Sequence, residues 1–405
     1  MAKLNRTHAA DLHGVARLAF EATAGLVDVV ERMHHTIQRR PWPLGKPAAG
    51  STRGITGFVY RTVRGSVHLI GRGIDASLAP VVELMPEGAA GPRRDALLAA
   101  INGVYGDYLA RTSNPLAIPM SVRYRGQPVD LADPEASLRA AGGPAPAGRL
   151  LVLVHGLCLN DLQWRREGHD HGAALASALG CTPLYLRYNS GLHVADNGAG
   201  FADVLERLVA AWPCPVEELA IVGHSMGGLV ARSACHHGAA SGHAWPQRLR
   251  KLVFLGTPHH GAPLERGGHW LDFMLEVSPY SAPFTRIGRM RSAGITDLRH
   301  GSVTTGTHAV VPLPAGVKCY AAAATLAARR SVLAERLVGD GLVPLDSALG
   351  RHARPELTLA IPKDRQWVGY GMGHLELLSR AEVYSQLHEW LQDRGQESGR
   401  AALRS

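Results

Sequence analysis

Residues 218–237 read ELAIVGHSMGGLVARSACHH, and no other stretch limits the fold as tightly. An apolar strand, Leu219–Val222, runs into Gly223-His224-Ser225-Met226-Gly227 and then into a helix over 226–237. A serine between glycines two before and two after, at a strand-to-helix junction, predicts a sharp turn with the hydroxyl at its tip. The glycines let strand and helix backbones approach closely. The helix start adds unsatisfied N–H groups and partial positive charge beside the serine. Such a turn needs a sheet whose strands are followed by helices.

The rest of the chain supplies that pattern. Leu150–Val154 and Pro183–Tyr188 are continuous apolar runs, and Leu252–Leu255, Val317–Ala321 and Leu357–Ile361 read as further strands. Helices are expected at 199–212, 226–237 and 380–393. Short apolar strands alternating with helices predict a parallel sheet covered on both faces, an α/β class. Ahead of this, MSVRYRGQPVDL (120–131) reads as two short strands around a turn at Gly126, and 132–148 as an Ala/Gly/Pro-rich connector. Hydrophobic residues make up 46 % of 405 residues and charged residues 19 %, which excludes global disorder.

The N-terminal part differs. Leu12, Val15, Ala19, Ala22, Leu26, Val29, Met33 and Ile37 form one helical stripe over 10–39, which Pro41 and Pro43 end. A second helical pattern covers 54–84 despite Gly54, Gly57, Gly65, Gly71 and Gly73, each costing about 1 kcal/mol against alanine. A third helix is expected over 94–110. Residues 1–75 carry eleven Lys/Arg against five Asp/Glu, within a net charge of +9. Either the helices pack as a hairpin on the main domain, or they lie on an anionic lipid or polymer surface. The division expected is a basic amphipathic helical region over 1–114, a catalytic domain over 115–395 with a cap or lid insertion at about 263–315, and a flexible tail over 396–405.

Around Ser225 the chemistry needs a base, an acid and two oxyanion donors. Among the histidines that follow the serine, the candidates for the base are His259, His260, His269, His308, His352, His374 and His388. His374 lies in GYGMGHLELL, a glycine-rich loop between the last strand and the last helix, from which it can reach the serine. For the acid, Asp340 sits between two glycines in GDGLVPLDSA, with Asp346 and Glu335 as alternatives. Its task would be to orient His374 and stabilise the imidazolium. The N–H of Met226 is one oxyanion donor, and that of Leu157, in LLVLVHGLCLN, the other. His155, just after a strand, reads as structural.

VHGL (154–157), GHSMGG (223–228), LGTPHHGAP (255–263), GDGLVP (339–344) and GHLELL (373–378) together resemble the α/β-hydrolases of lipase and carboxylesterase type. They are most similar to the bacterial relatives of the GPI inositol-deacylase (PGAP1-like) lipase group. The resemblance covers roughly 120–395. It implies the α/β-hydrolase fold, a Ser225–His374–Asp340 triad, Leu157 and Met226 as oxyanion donors, and an ester or lipid substrate. It does not reach 1–110. Residues 269–300 fall where such folds place a lid, and Trp270, Phe273 and Met274 there are candidate acyl contacts.

No cofactor is expected. His259 and His260 invite a metal reading, but no matching Asp and His set accompanies them, so no metal is expected either. Cys158, Cys181, Cys214, Cys235 and Cys319 are odd in number and form no CxxC, so free thiols in a reducing compartment are the simpler reading. No apolar run reaches the roughly 18 residues of a membrane span, and no secretory signal is evident. A cytoplasmic protein is expected, with membrane or granule contact through the N-terminal helices as the surface alternative, and no nucleic-acid partner. Competing activities are an acyltransferase, an intracellular polyhydroxyalkanoate depolymerase and, without catalysis, a binding module.

Overall fold

The computed structural model describes residues 92–262, 292–305, 311–328 and 339–392, without the side chains of 92–94 and 97. The expected helices at 10–39 and 54–84, most of the lid, and Trp270, Phe273, Met274, His269, His308 and Glu335 lie outside these residues. By contacts the chain divides into two units. The one treated below comprises Pro92–Tyr108 and Ile118–Ser405; of the other, only Leu109–Ala117 is described.

The elements run α1 (Pro92–Arg111), β1 (Ser121–Tyr124), β2 (Gln127–Pro128), α2 (Pro134–Ala140), β3 (Arg149–Val154), α3 (His171–Leu179), β4 (Thr182–Arg187), α4 (Val194–Ala211), β5 (Glu218–His224), α5 (Met226–Ala240), β6 (Leu249–Leu255), α6 (Ala293–His300), β7 (Lys318–Thr325), α7 (Leu345–Ala348), β8 (Gln366–Tyr370) and α8 (Ala381–Gln392). A small ribbon pairs Arg165–Arg166 with His169–Asp170. Among the described residues the main sheet has eight strands in the order β8-β7-β6-β5-β3-β4-β1-β2. The six strands from β8 to β4 are parallel, and β1 and β2 add antiparallel at the edge.

The order steps one way from β3 to β4 and then back across β3 to β5. Right-handed crossovers therefore put α3 on one face and α4 on the other, with α5 beside α4. Contacts agree: α4 packs on α5, and α3 packs on α8. Strands covered on both faces are apolar without alternation, as Arg149–Val154 and Thr182–Arg187 show. In register, Val154 lies opposite Gly223, His224 opposite Leu255, and Leu255 opposite Ala322. The carboxyl ends of β3, β5, β6, β7 and β8 thus share one edge, and the order reverses between β3 and β5. That reversal is where open α/β sheets bind ligands.

Three local expectations change. Leu357–Ile361 is not a strand. Pro355–Leu357 forms a 3-10 turn, and Leu359 and Ile361 enter the core from an irregular segment. The edge strand is instead Gln366–Tyr370, which the half-buried sequence QWVGY hides. The connector 132–148 contains α2, started by Pro134 and capped by Asp133, whose carboxylate accepts the Ala136 N–H at 3.0 Å. Helix α3 has weak periodicity and was not expected. Its start is set by Asp170 accepting the Ala173 N–H, and its end by left-handed Gly180.

Candidate active site

Ser225 stands at the junction of β5 and α5 with φ +54° and ψ −124°. That conformation is costly for a residue with a Cβ, on the order of 1–3 kcal/mol, and persists only where neighbours impose it. Here the Ser225 N–H donates to Leu255 O at 2.8 Å, and Gly228 N–H donates to Ser225 O at 3.0 Å. The flanking glycines are sterically required. A Cβ on Gly223 would lie 2.6 Å from Gly228 Cα, and one on Gly227 would fall on the carbonyl oxygens of Val154 and His155. The Ser225 side chain is buried, and its Oγ makes no hydrogen bond among the described residues.

Asp340 and His374 come together 34 residues apart in sequence. Asp340 Oδ2 accepts from His374 Nδ1 at 2.6 Å, with both side chains at most 2 % exposed. The other oxygen, Oδ1, accepts the N–H groups of Leu342 (3.0 Å) and Val343 (2.7 Å). Gly339 (φ +45°) and Gly341 (φ +91°) make the tight turn that presents this carboxylate. Leu326 N–H donates to Gly339 O at 2.9 Å, which ties the turn to the end of β7, and His374 N–H donates to Asp340 O at 3.2 Å. Asp346 is exposed and lies 4.0 Å from Arg351.

Ser225 and the His374 imidazole border the same backbone. A Cβ built on Gly256, just after the Leu255 that holds Ser225, would lie 3.0 Å from His374 Cε1. From the other side, a Cβ on Gly156 would lie 3.0 Å from Ser225 Cβ, so the segment carrying Leu157 passes directly beside the serine. Met226 opens α5. Its N–H belongs to the first helical turn, where donors lack intrahelical partners.

Cys158, next to Leu157, has φ +60°, and its N–H donates to Ser190 Oγ at 3.1 Å. Ser190, which sequence reading missed, therefore holds the loop after β3. His155 is spent on structure: its ring stacks on Tyr188 at 4.3 Å and its Nδ1 lies 2.9 Å from Gly156 O. Burial pushes its pKa down to about 3. His259 packs edge-on against Phe254 and faces Arg232, and burial lowers its pKa well below the ordinary range. His260 meets the ring of His352. His388 is half-buried on α8. Among the described residues no group of three or more His, Cys, Asp or Glu side chains could hold a metal ion.

The family model for the PGAP1-like alpha/beta domain matches residues 204–318, which include Ser225. Among solved structures, the mature lipase BlEst2 of Bacillus licheniformis is 20 % identical, with 67 % of this chain and 98 % of that one covered and a TM-score of 0.41. A thermophilic esterase from Thermogutta terrifontis is 16 % identical, covering 61 % and 90 %, at a TM-score of 0.37. Aspergillus fumigatus lipase B is 14 % identical, covering 58 % and 50 %, at 0.35. No curated protein matches. The mostly parallel sheet, its strand order and the serine turn after β5 define the α/β-hydrolase fold, and the chain is similar over 204–318 to the PGAP1-like group.

Proposed function

We propose that this chain is a serine hydrolase that cleaves carboxylic esters through an acyl-enzyme. The observation that carries this reading is the buried 2.6 Å contact between His374 Nδ1 and Asp340 Oδ2, at the same sheet edge as a serine strained to φ +54°. Asp340 holds the imidazole with its proton on Nδ1, which leaves Nε2 as the base. His374 takes the Ser225 proton as Oγ attacks the ester carbonyl. The N–H groups of Leu157 and Met226 receive the developing oxyanion. The alcohol departs with the proton from His374. Water, deprotonated by His374, then releases the acid and restores Ser225. All these groups come from the chain itself.

Trp270, Phe273 and Met274 are the proposed acyl contacts. Five free thiols fit a cytoplasmic placement. Among the described residues no helix is long and apolar enough to cross a membrane.

The test is a series of p-nitrophenyl esters from acetate to palmitate, assayed with the wild type and Ser225→Ala. The variant is expected to fold normally and to lose nearly all activity, a fall of about 10⁴-fold or more. Wild-type activity in Ser225→Ala would overturn the reading. A peak at long chains would make it a lipase, and one at short chains a carboxylesterase.

A further inference from the structure

The 3-10 turn His374–Leu378 carries the proposed base, and a buried histidine meets each end of it. At the first end, His224 Nε2 lies 3.2 Å from His374 O. A carbonyl only accepts, so this nitrogen bears the proton and donates it. The two rings lie 4.8 Å apart, tilted by 47°. His224 is fully buried, and its Nδ1 has no hydrogen-bond partner among the described residues. At the other end, His171 Nε2 lies 3.1 Å from Leu377 O, and its Nδ1 lies 2.9 Å from His169 Nε2. His171 therefore donates to the carbonyl and accepts from His169.

His224 comes from the residue before the nucleophile, at the end of β5, and His171 from the first residue of α3. Each spends its one N–H on a main-chain oxygen of the same short turn. The His374 ring is positioned by that turn as well as by Asp340, because His374 N–H also donates to Asp340 O.

We propose that His224 and His171 are positioning residues that clamp the turn His374–Leu378 through the carbonyls of His374 and Leu377, and so hold the His374 imidazole against Asp340. The kinetic part of this rests on the reading of His374 as the base; the structural part does not. Burial keeps both clamps in the neutral form, lowering His224 well below the ordinary range and His171 to about 4. A second proton on His224 Nδ1 would be buried without an acceptor, so its donor stays on Nε2. The residue between the first glycine and the serine thereby references the base loop to the nucleophile turn.

The test compares leucine and glutamine at both positions in the full chain. Glutamine keeps an amide N–H near the place of Nε2–H; leucine has similar bulk and no donor. Two readouts are taken: kcat and KM on a p-nitrophenyl ester, and the low-field ¹H NMR line of His374 Nδ1–H. In His224→Leu the line is expected to move upfield or vanish, and kcat to fall about 10- to 100-fold with KM within about twofold, the scale of a small misplacement of a catalytic group. His224→Gln is expected to restore both to near wild type. His171→Leu and His171→Gln should separate in the same sense.

A wild-type line and wild-type kcat in both leucine variants would overturn the proposal. So would glutamine and leucine variants impaired alike, which would mean that shape and not the N–H matters. If His224→Leu does not fold, the two His171 variants make the same comparison at the other end of the turn and decide it. If the wild type hydrolyses no ester while the NMR line responds as expected, the clamp stands and the ester-hydrolase reading falls.

Discussion

His374 Nδ1 and Asp340 Oδ2 stand 2.6 Å apart with both side chains buried, while Asp340 Oδ1 accepts two backbone N–H groups. The carboxylate therefore has one oxygen for its own turn and one for the histidine. Asp340→Asn can keep the Oδ1 bonds, but its NH₂ would face a ring nitrogen that must then be the acceptor. The proton would move to Nε2, and the proposed base would be lost. We expect kcat to fall by about 10³- to 10⁴-fold with KM little changed. A fall under tenfold would count against this role for Asp340.

The turn at Ser225 depends on Gly227 being without a side chain. In Gly227→Ala the new Cβ would lie 2.5 Å from His155 O and still closer to Val154 O, both main-chain atoms of the neighbouring strand and loop. Main chain inside a parallel sheet yields little, so a loss of about 2–4 kcal/mol is expected. Urea unfolding followed by circular dichroism measures it, and an unchanged midpoint would refute the close approach.

Stability should fall with acid through the buried histidines. The folded pKa of His155 is about 3 and that of His171 about 4, both below the unfolded value near 6.5. Between those limits the unfolded chain binds more protons, so stability rises with pH through the window and is lost as pH falls. Each group contributes about 1.4 kcal/mol per pH unit, from about pH 6 down to its own folded pKa. Unfolding midpoints at pH 7, 6, 5 and 4.5 test this, and His171→Gln should flatten the slope by one proton. A flat profile would show that these rings are not buried neutral.

Arg187 is buried, 2.7 Å from Asp95 on α1 and 3.8 Å from Asp161, which also meets Arg123 at 3.2 Å. Arg187→Met leaves two buried carboxylates with one arginine beside Asp161. Removing one partner of a buried pair costs about 3–5 kcal/mol. Adding Asp95→Asn to Arg187→Met should recover part of the loss, because an amide carries no charge and needs the buried guanidinium less than the carboxylate does. Additive losses in that double variant would refute the pairing.

Much of the fold and of the candidate site is legible in the sequence. The strand, Ser225, the glycines and the following helix are contiguous, so their geometry is written in local sequence. Asp340 stood out because its two flanking glycines allow a tight turn that presents the carboxylate, and His374 because it lies in a glycine-rich loop between the last strand and the last helix. Leu359 and Ile361 misled because a short apolar run marks burial without marking a strand. Gln366–Tyr370 escaped because an edge strand is only half covered and need not be apolar.

What the amino-acid order determined by itself is the class of fold, and it singled out the three side chains proposed as the active site, since periodicity, turn chemistry and motif spacing are local properties. Only the tertiary structure could decide who supports them. Ser190 beneath Cys158, His171 beneath Leu377 and His224 beneath His374 act over 32, 206 and 150 residues of chain. None of these three pairings is marked in the sequence, and each arises because a buried N–H or C=O must be satisfied by whichever group the folding brings beside it.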